Sequence, residues 1–317
     1  MHNMRKTLSF IVLALLLFAI AGCGGTKQEV SSQNKPNPPA ASSPGFPVTI
    51  HDSTGTEVKI AKKPERIVSI IPNMTEIAFA LGLDQQIVGV SNYDDYPKEV
   101  AKKQRVGDLN INTEKVVSLQ PDLVLADSSN GKAIAALRKL GIPVLASDAK
   151  TFDDIYASIE TVGKATGTED KAEQLVAKMR KDVKQVTDKV KDIPASKKPK
   201  VWVEVDPTLF TTGKGTFMND MIEMAGGVNI ASDLTGWKQL SEEKIIERNP
   251  DIILDTYGYY QKGATEKIKQ RTTWKGIHAV QQGKVFDLDS NLVDRPGPRI
   301  TDGLKQIAAD LHPDLFK

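Results

Sequence analysis

The chain has 317 residues, 40% of them hydrophobic and 26% charged, with a formal net charge of +2. That composition suits an ordinary globular protein, and a near-neutral balance without basic–aromatic interleaving argues against a nucleic-acid partner. Cys23 is the only cysteine, so an internal disulfide is excluded.

Arg5 and Lys6 precede an apolar run from Leu8 to Ile20, which ends in Ala21-Gly22-Cys23. A basic start, a short apolar stretch and small residues before a cleavage point make a secretory signal over residues 1–22, too short for a comfortable membrane span. Residues 23–47 are rich in Gly, Ser, Pro, Gln, Asn and Lys, and read as a flexible tether.

Val48 to Ile60 reads as a hairpin that turns through Asp52-Ser53-Thr54-Gly55. Arg66–Ile71 is a continuous apolar strand ended by Pro72-Asn73, followed by a helix from Met74 to Leu81 that Gly82 closes. Strands follow at Ile87–Val90, Asp122–Ala126 and Pro143–Ala146, with helices at Val116–Leu119 and Ala133–Leu140. Ile155–Gly163 leads into the longest periodic stretch. There Ala172, Leu175, Val176, Met179, Val183, Val186 and Val190 recur at steps of three and four. Thr168 is the expected N-cap, Glu169 and Asp170 suit the first turn, and Pro194 stops the helix after a lysine-rich end. A helix over 168–193 would be roughly 40 Å long, enough to span a domain.

Beyond it come strands at Lys200–Val205, Asp251–Leu254 and Lys284–Leu288, and helices at Phe217–Ala225, Ser241–Arg248 and Thr301–Leu311. The two halves also share a repeat. Glu114-Lys115-Val116-Val117 with Pro121-Asp122-Leu123-Val124-Leu125 is answered at one constant offset by Glu243-Lys244-Ile245-Ile246 with Pro250-Asp251-Ile252-Ile253-Leu254. Alternating buried strands and helices imply an α/β fold with a parallel sheet in each of two lobes. The lobes cover 48–167 and 194–317, the long helix joins them, and the ligand cleft lies between. A continuous helix resists hinge bending, so closure should be small.

Signals for catalysis are sparse. His51, His278 and His312 share no metal-ligand spacing, and there is no Gly-x-Ser-x-Gly elbow. Gly213-Lys214-Gly215-Thr216 resembles part of a phosphate loop, but Thr208 stands where the first glycine is required. The expectation is a binding protein rather than an enzyme, with neither cofactor nor bound metal.

From Ile67-Val68-Ser69-Ile70-Ile71-Pro72-Asn73-Met74-Thr75-Glu76 through Val88-Gly89-Val90-Ser91-Asn92-Tyr93-Asp94-Asp95-Tyr96-Pro97, the chain resembles the helical-backbone (class III) substrate-binding proteins of ABC importers. These carry vitamin B12, ferric siderophores or haem, and the likeness is greatest to the vitamin B12-binding members. Cys23 after Ile-Ala-Gly is similar to a lipobox, which implies a lipid-anchored, extracytoplasmic protein of the Gram-positive type that touches the membrane only through that lipid. The resemblance implies a monomer that docks on a permease dimer through one glutamate per lobe, here Glu114 and Glu243. It also implies cleft roles for Tyr93, Phe210, Trp237 and Arg295, with Tyr257, Tyr259 and Tyr260 as further candidates for the mouth. Leu109, Asp127 and Leu292 stand about where the vitamin B12 binders have further tryptophans, so a ferric siderophore or haem stays open as the ligand. A surface-anchored enzyme or adhesion protein on the same fold is the alternative from another class.

Overall fold

A computed structural model describes residues 45–317. The signal segment, Cys23 and most of the expected tether lie outside the described residues. Phe46, which composition assigns to the tether, is buried in the core and packs beside Gly167.

The first lobe opens with the hairpin β1 (Val48–His51) and β2 (Glu57–Ile60). It continues through β3 (Ile67–Ser69), α1 (Pro72–Ala80), β4 (Ile87–Val90), β5 (Gln104–Arg105), α2 (Thr113–Ser118), β6 (Leu123–Asp127), α3 (Gly131–Lys139), β7 (Val144–Ser147) and α4 (Phe152–Thr166). Then comes α5 (Glu169–Val190). The second lobe holds β8 (Lys200–Glu204), β9 (Phe210–Thr212), α6 (Phe217–Met224), β10 (Val228–Asn229), β11 (Trp237–Gln239), α7 (Glu242–Arg248) and β12 (Ile252–Asp255). It ends with α8 (Ala264–Lys269), α9 (His278–Gln281), β13 (Val285–Asp287), α10 (Ser290–Val293) and α11 (Ile300–Leu311).

Two parallel sheets carry the lobes, in the orders β5-β4-β3-β6-β7 and β10-β8-β12-β13. Their central strands are the apolar runs of the sequence, buried on both faces as parallel strands under helices must be. The antiparallel pair β9–β11 stands apart from the second sheet.

The sequence repeat is a structural repeat down to its hydrogen bonds. Asn112 caps α2 by accepting from the Lys115 amide at 2.9 Å, and Ser241 caps α7 by accepting from the Lys244 amide at 3.4 Å. Gln120 and Asn249 both take positive φ, of 49° and 45°, one residue before each proline. Asp122 then accepts from the Arg66 amide at 3.1 Å and Asp251 from the Lys200 amide at 2.8 Å, each tying its strand to the strand beside it. The shared Pro-Asp is therefore a strand-entry device and has a structural reason of its own.

α4 ends at Gly167, whose φ of 64° breaks the helix and lets α5 set off against α4. Thr168 sits at the N-cap of α5, but its hydroxyl pairs with that of Thr166 at 2.8 Å, and only its backbone carbonyl receives the first amides. Ala172, Val176, Met179, Val186 and Val190 are buried along one face, and α11 packs across α5 and α6. One continuous apolar cluster runs from Phe46 and Ile67 through these helices to Leu311. The lobes share one core, and a densely packed core is bistable or rigid rather than freely deformable.

Candidate functional site: the interlobe cleft

In open α/β sheets ligands sit beyond the strand C-termini, where the strand order reverses. In the first sheet that point lies between β3 and β6. Ile71-Pro72-Asn73, just past β3, and Asp127, at the end of β6, line a cavity of about 640 Å³. Across from them the second lobe contributes Gly215–Phe217, Thr235–Trp237 and Asp294–Pro296. A second cavity, of about 730 Å³, shares Pro72, Asp294 and Arg295 with the first and is walled by Tyr93, Leu109 and Tyr259. The two adjoin and form one interlobe cleft.

Each wall has a local cause. Tyr93 is held by its loop: the Ser91 hydroxyl donates to buried Asp94 at 2.5 Å, and Arg105 donates to the Ser91 and Asp94 carbonyls at 2.7 and 2.8 Å. Burial pushes the Asp94 carboxyl up. Ser91 and Asp94 in the tyrosine-rich run are thus scaffolding, while Tyr93 stays about half exposed at the mouth. Trp237 begins β11, paired with Thr212 of β9, and Phe217 stands edge-on to its ring at 5.6 Å. Below them Asn229 donates to the Thr212 carbonyl at 2.8 Å and to Asn219 at 2.9 Å, and the Thr216 hydroxyl donates to the Gly213 carbonyl at 2.8 Å. A Cβ on Gly213 would lie 2.5 Å from the Leu234 carbonyl oxygen, so Gly213-Lys214-Gly215-Thr216 is a close-packed turn behind the tryptophan.

Arg295 faces the cleft with its charge already engaged. Its guanidinium donates to Glu76 at 3.1 Å and to Asp95 at 2.6 Å, and Arg299 donates to both Glu76 oxygens at 2.8 and 2.6 Å. The Arg299 guanidinium also lies 4.0 Å over the Tyr96 ring. Glu76 comes from α1 and both arginines from the second lobe, so this network clasps the lobes together beside the cleft. The clasp lifts the Arg299 pKa, chiefly through Glu76. Next to it, burial pushes the Asp294 carboxyl up to about 7 against the opposing pull of Thr256 and Arg295.

Phe210 lines neither cavity: it is half-buried in β9, and the phenylalanine against Trp237 is Phe217. Leu109 and Asp127 do line the cleft, whereas Leu292 packs against the core. Tyr257 is fully buried and donates to Glu204 at 2.5 Å, while Tyr259 and Tyr260 are exposed. Lys150, Phe217 and Asp294 are cleft residues that no motif announces; they sit before α4, at the start of α6 and at the end of α10. Glu114 and Glu243 are exposed at equivalent places, the second residue of α2 and of α7. The α7 backbone and the Ser241 hydroxyl hold the Glu243 carboxyl below its ordinary value. His278 pairs with Asp251 at 2.9 Å and His312 approaches the Gly226 carbonyl, which makes both structural. Among the described residues no cluster of His, Cys, Asp and Glu could hold a metal ion.

The periplasmic binding protein family model matches residues 67–292. An uncharacterised ABC transporter substrate-binding lipoprotein, YvrC of Bacillus subtilis, is 44% identical over 96% of this chain and 97% of its own. A cobalamin-binding protein of Halobacterium salinarum is 30% identical over 98% of this chain and 86% of its own. Among solved structures, a possible iron-binding (periplasmic solute-binding) protein from Staphylococcus epidermidis superposes with a TM-score of 0.71 at 39% identity, covering 79% of this chain and all of that one. The chain belongs to the periplasmic binding protein family, in the branch that holds the substrate-binding proteins of ABC importers.

Proposed function

We propose that this protein, anchored outside the cell through a lipid on Cys23, captures a corrinoid of the vitamin B12 type and delivers it to an ABC permease. The observation that carries this reading is the cleft: two adjoining cavities of about 640 and 730 Å³, with Trp237 and Phe217 on one wall and Tyr93 and Tyr259 at the mouth. A space of that size exceeds what a bare ion or a small metabolite needs, and flat aromatic faces suit a broad macrocycle. Likeness to the cobalamin-binding relative supports the same ligand. Likeness to the solute-binding protein from Staphylococcus epidermidis supports an iron complex as the second reading.

Glu114 and Glu243 are the docking carboxylates of this proposal. Their repeat-related positions, exposed side chains and one-per-lobe placement suit a two-fold partner that presents arginines, a pairing that fixes register and orientation. Binding and transport must then separate. With Glu114→Ala plus Glu243→Ala, corrinoid affinity should stay at the wild-type value while uptake of labelled cobalamin by cells falls at least tenfold. Undiminished uptake would remove the docking assignment, and loss of affinity would show that the glutamates serve the fold or the cleft instead.

A further inference from the structure

The residues that line the two cavities carry four carboxylates, Asp95, Asp127, Asp148 and Asp294, against two cations, Lys150 and Arg295. Both cations are already spoken for. Lys150 pairs with Asp148 at 2.9 Å, and Arg295 is divided between Asp95 and Glu76. The carboxyls left over are Asp127 and Asp294, so any surplus charge in the cleft is negative. Asp127 accepts from the Ser129 amide at 3.0 Å, without a cationic partner. Asp294 has a buried Oδ1 with no cation on it and only the Thr256 hydroxyl beside it, and it stands where the two cavities meet.

We propose that the cleft selects its ligand by charge, taking cationic macrocycles first, neutral ones next and anionic ones last. This rests on the corrinoid reading above and narrows it. The physical cause is partial desolvation: inside the cleft, Coulomb interactions are not damped as they are in water, and an anion would find no free guanidinium or ammonium to compensate it. Burial lifts the Asp294 carboxyl to about 7, so an arriving cation can draw it fully ionised, while an anion meets at best a neutral acid. A ferric complex of net negative charge and a haem with two propionates are disfavoured by the same arithmetic. At separations of roughly 6 Å and an effective dielectric of about 40, one unit of ligand charge changes affinity by about tenfold.

The test holds the macrocycle constant and changes only its axial group. Aquocobalamin is a net cation at neutral pH, cyanocobalamin is neutral and sulfitocobalamin is a net anion. Each is titrated calorimetrically into the full-length protein at low salt and again at high salt. The expected order is aquocobalamin, cyanocobalamin, sulfitocobalamin, with about tenfold between neighbours and a narrower spread at high salt. Asp294→Asn plus Asp127→Asn, both isosteric, should bring the three affinities together. Equal affinities in the wild-type protein, or the reverse order, would overturn charge selection and leave the corrinoid reading standing. If none of the three binds, both fall.

Discussion

Glu76→Gln is the substitution whose cost the structure specifies most closely. Glu76 is 3% exposed and accepts three charge-assisted hydrogen bonds, one from Arg295 and two from Arg299. Glutamine keeps the volume and one acceptor but removes the charge and turns an NH₂ group toward a guanidinium. Arg295 retains Asp95, whereas Arg299 loses its only direct carboxylate partner and keeps the Tyr96 ring and a neutral acceptor. Both arginine side chains are under one-fifth exposed, at 17% and 18%, so an uncompensated charge is costly there. Breaking one partner of such a pair costs about 3–5 kcal/mol; because Arg295 keeps a second carboxylate, about 3 kcal/mol is expected. For a folded body of this size that lowers Tm by roughly 5 °C. Urea unfolding of the single variants and of Glu76→Gln combined with Arg299→Gln closes a thermodynamic cycle, and the coupling should be of order 2 kcal/mol. A loss below about 1 kcal/mol, with no coupling, would mean that the clasp behaves as a solvated surface bridge, and the argument from burial would be refuted.

Asp294→Asn tests the electrostatics of the cleft floor without ligand. The carboxyl is raised from 3.8 to about 7 by burial, so the native state binds more protons than the unfolded chain between those values. Wild-type stability should therefore fall as pH rises through that window, by a few kcal/mol in all, and the variant should lack that part of the slope. Chemical denaturation at several pH values reads the difference, and parallel profiles would contradict it. Trp237→Ala should weaken cobalamin binding by about tenfold or more with under about 2 kcal/mol lost in stability, since its ring is only partly buried. Trp237 is the tryptophan that lines the cleft, so ligand quenching of fluorescence should weaken in this variant, with energy transfer from Trp202 and Trp274 remaining. A large stability loss at unchanged affinity would make Trp237 a core residue.

The long elements and the two sheets were legible because buried parallel strands are unbroken apolar runs and α5 repeats with helical period. The internal repeat was legible too, although its Pro-Asp proved to govern strand entry. What escaped sequence reading was short or non-local. β9 and β11 have three residues each, and α9 and α10 four, too few for any period to register. Phe46 lay inside a polar stretch, and one buried aromatic leaves no pattern. The resemblance marks Phe210 and passes over Phe217, and only the pairing of β9 with β11 puts Phe217 against Trp237. Arg295 was found as a cleft residue, yet its partner Glu76 lies in the other lobe and nothing local links the two. The acidic balance of the cleft depends on four loops meeting, and that is a property of the fold alone.

Calorimetric titration of the purified protein with cyanocobalamin, beside haemin and a ferric siderophore, tests the corrinoid assignment most directly. The account predicts saturable one-to-one binding of cyanocobalamin in the micromolar range or tighter, and at least tenfold weaker binding of the two iron complexes. Tight binding of either iron complex with no heat from cyanocobalamin would contradict it.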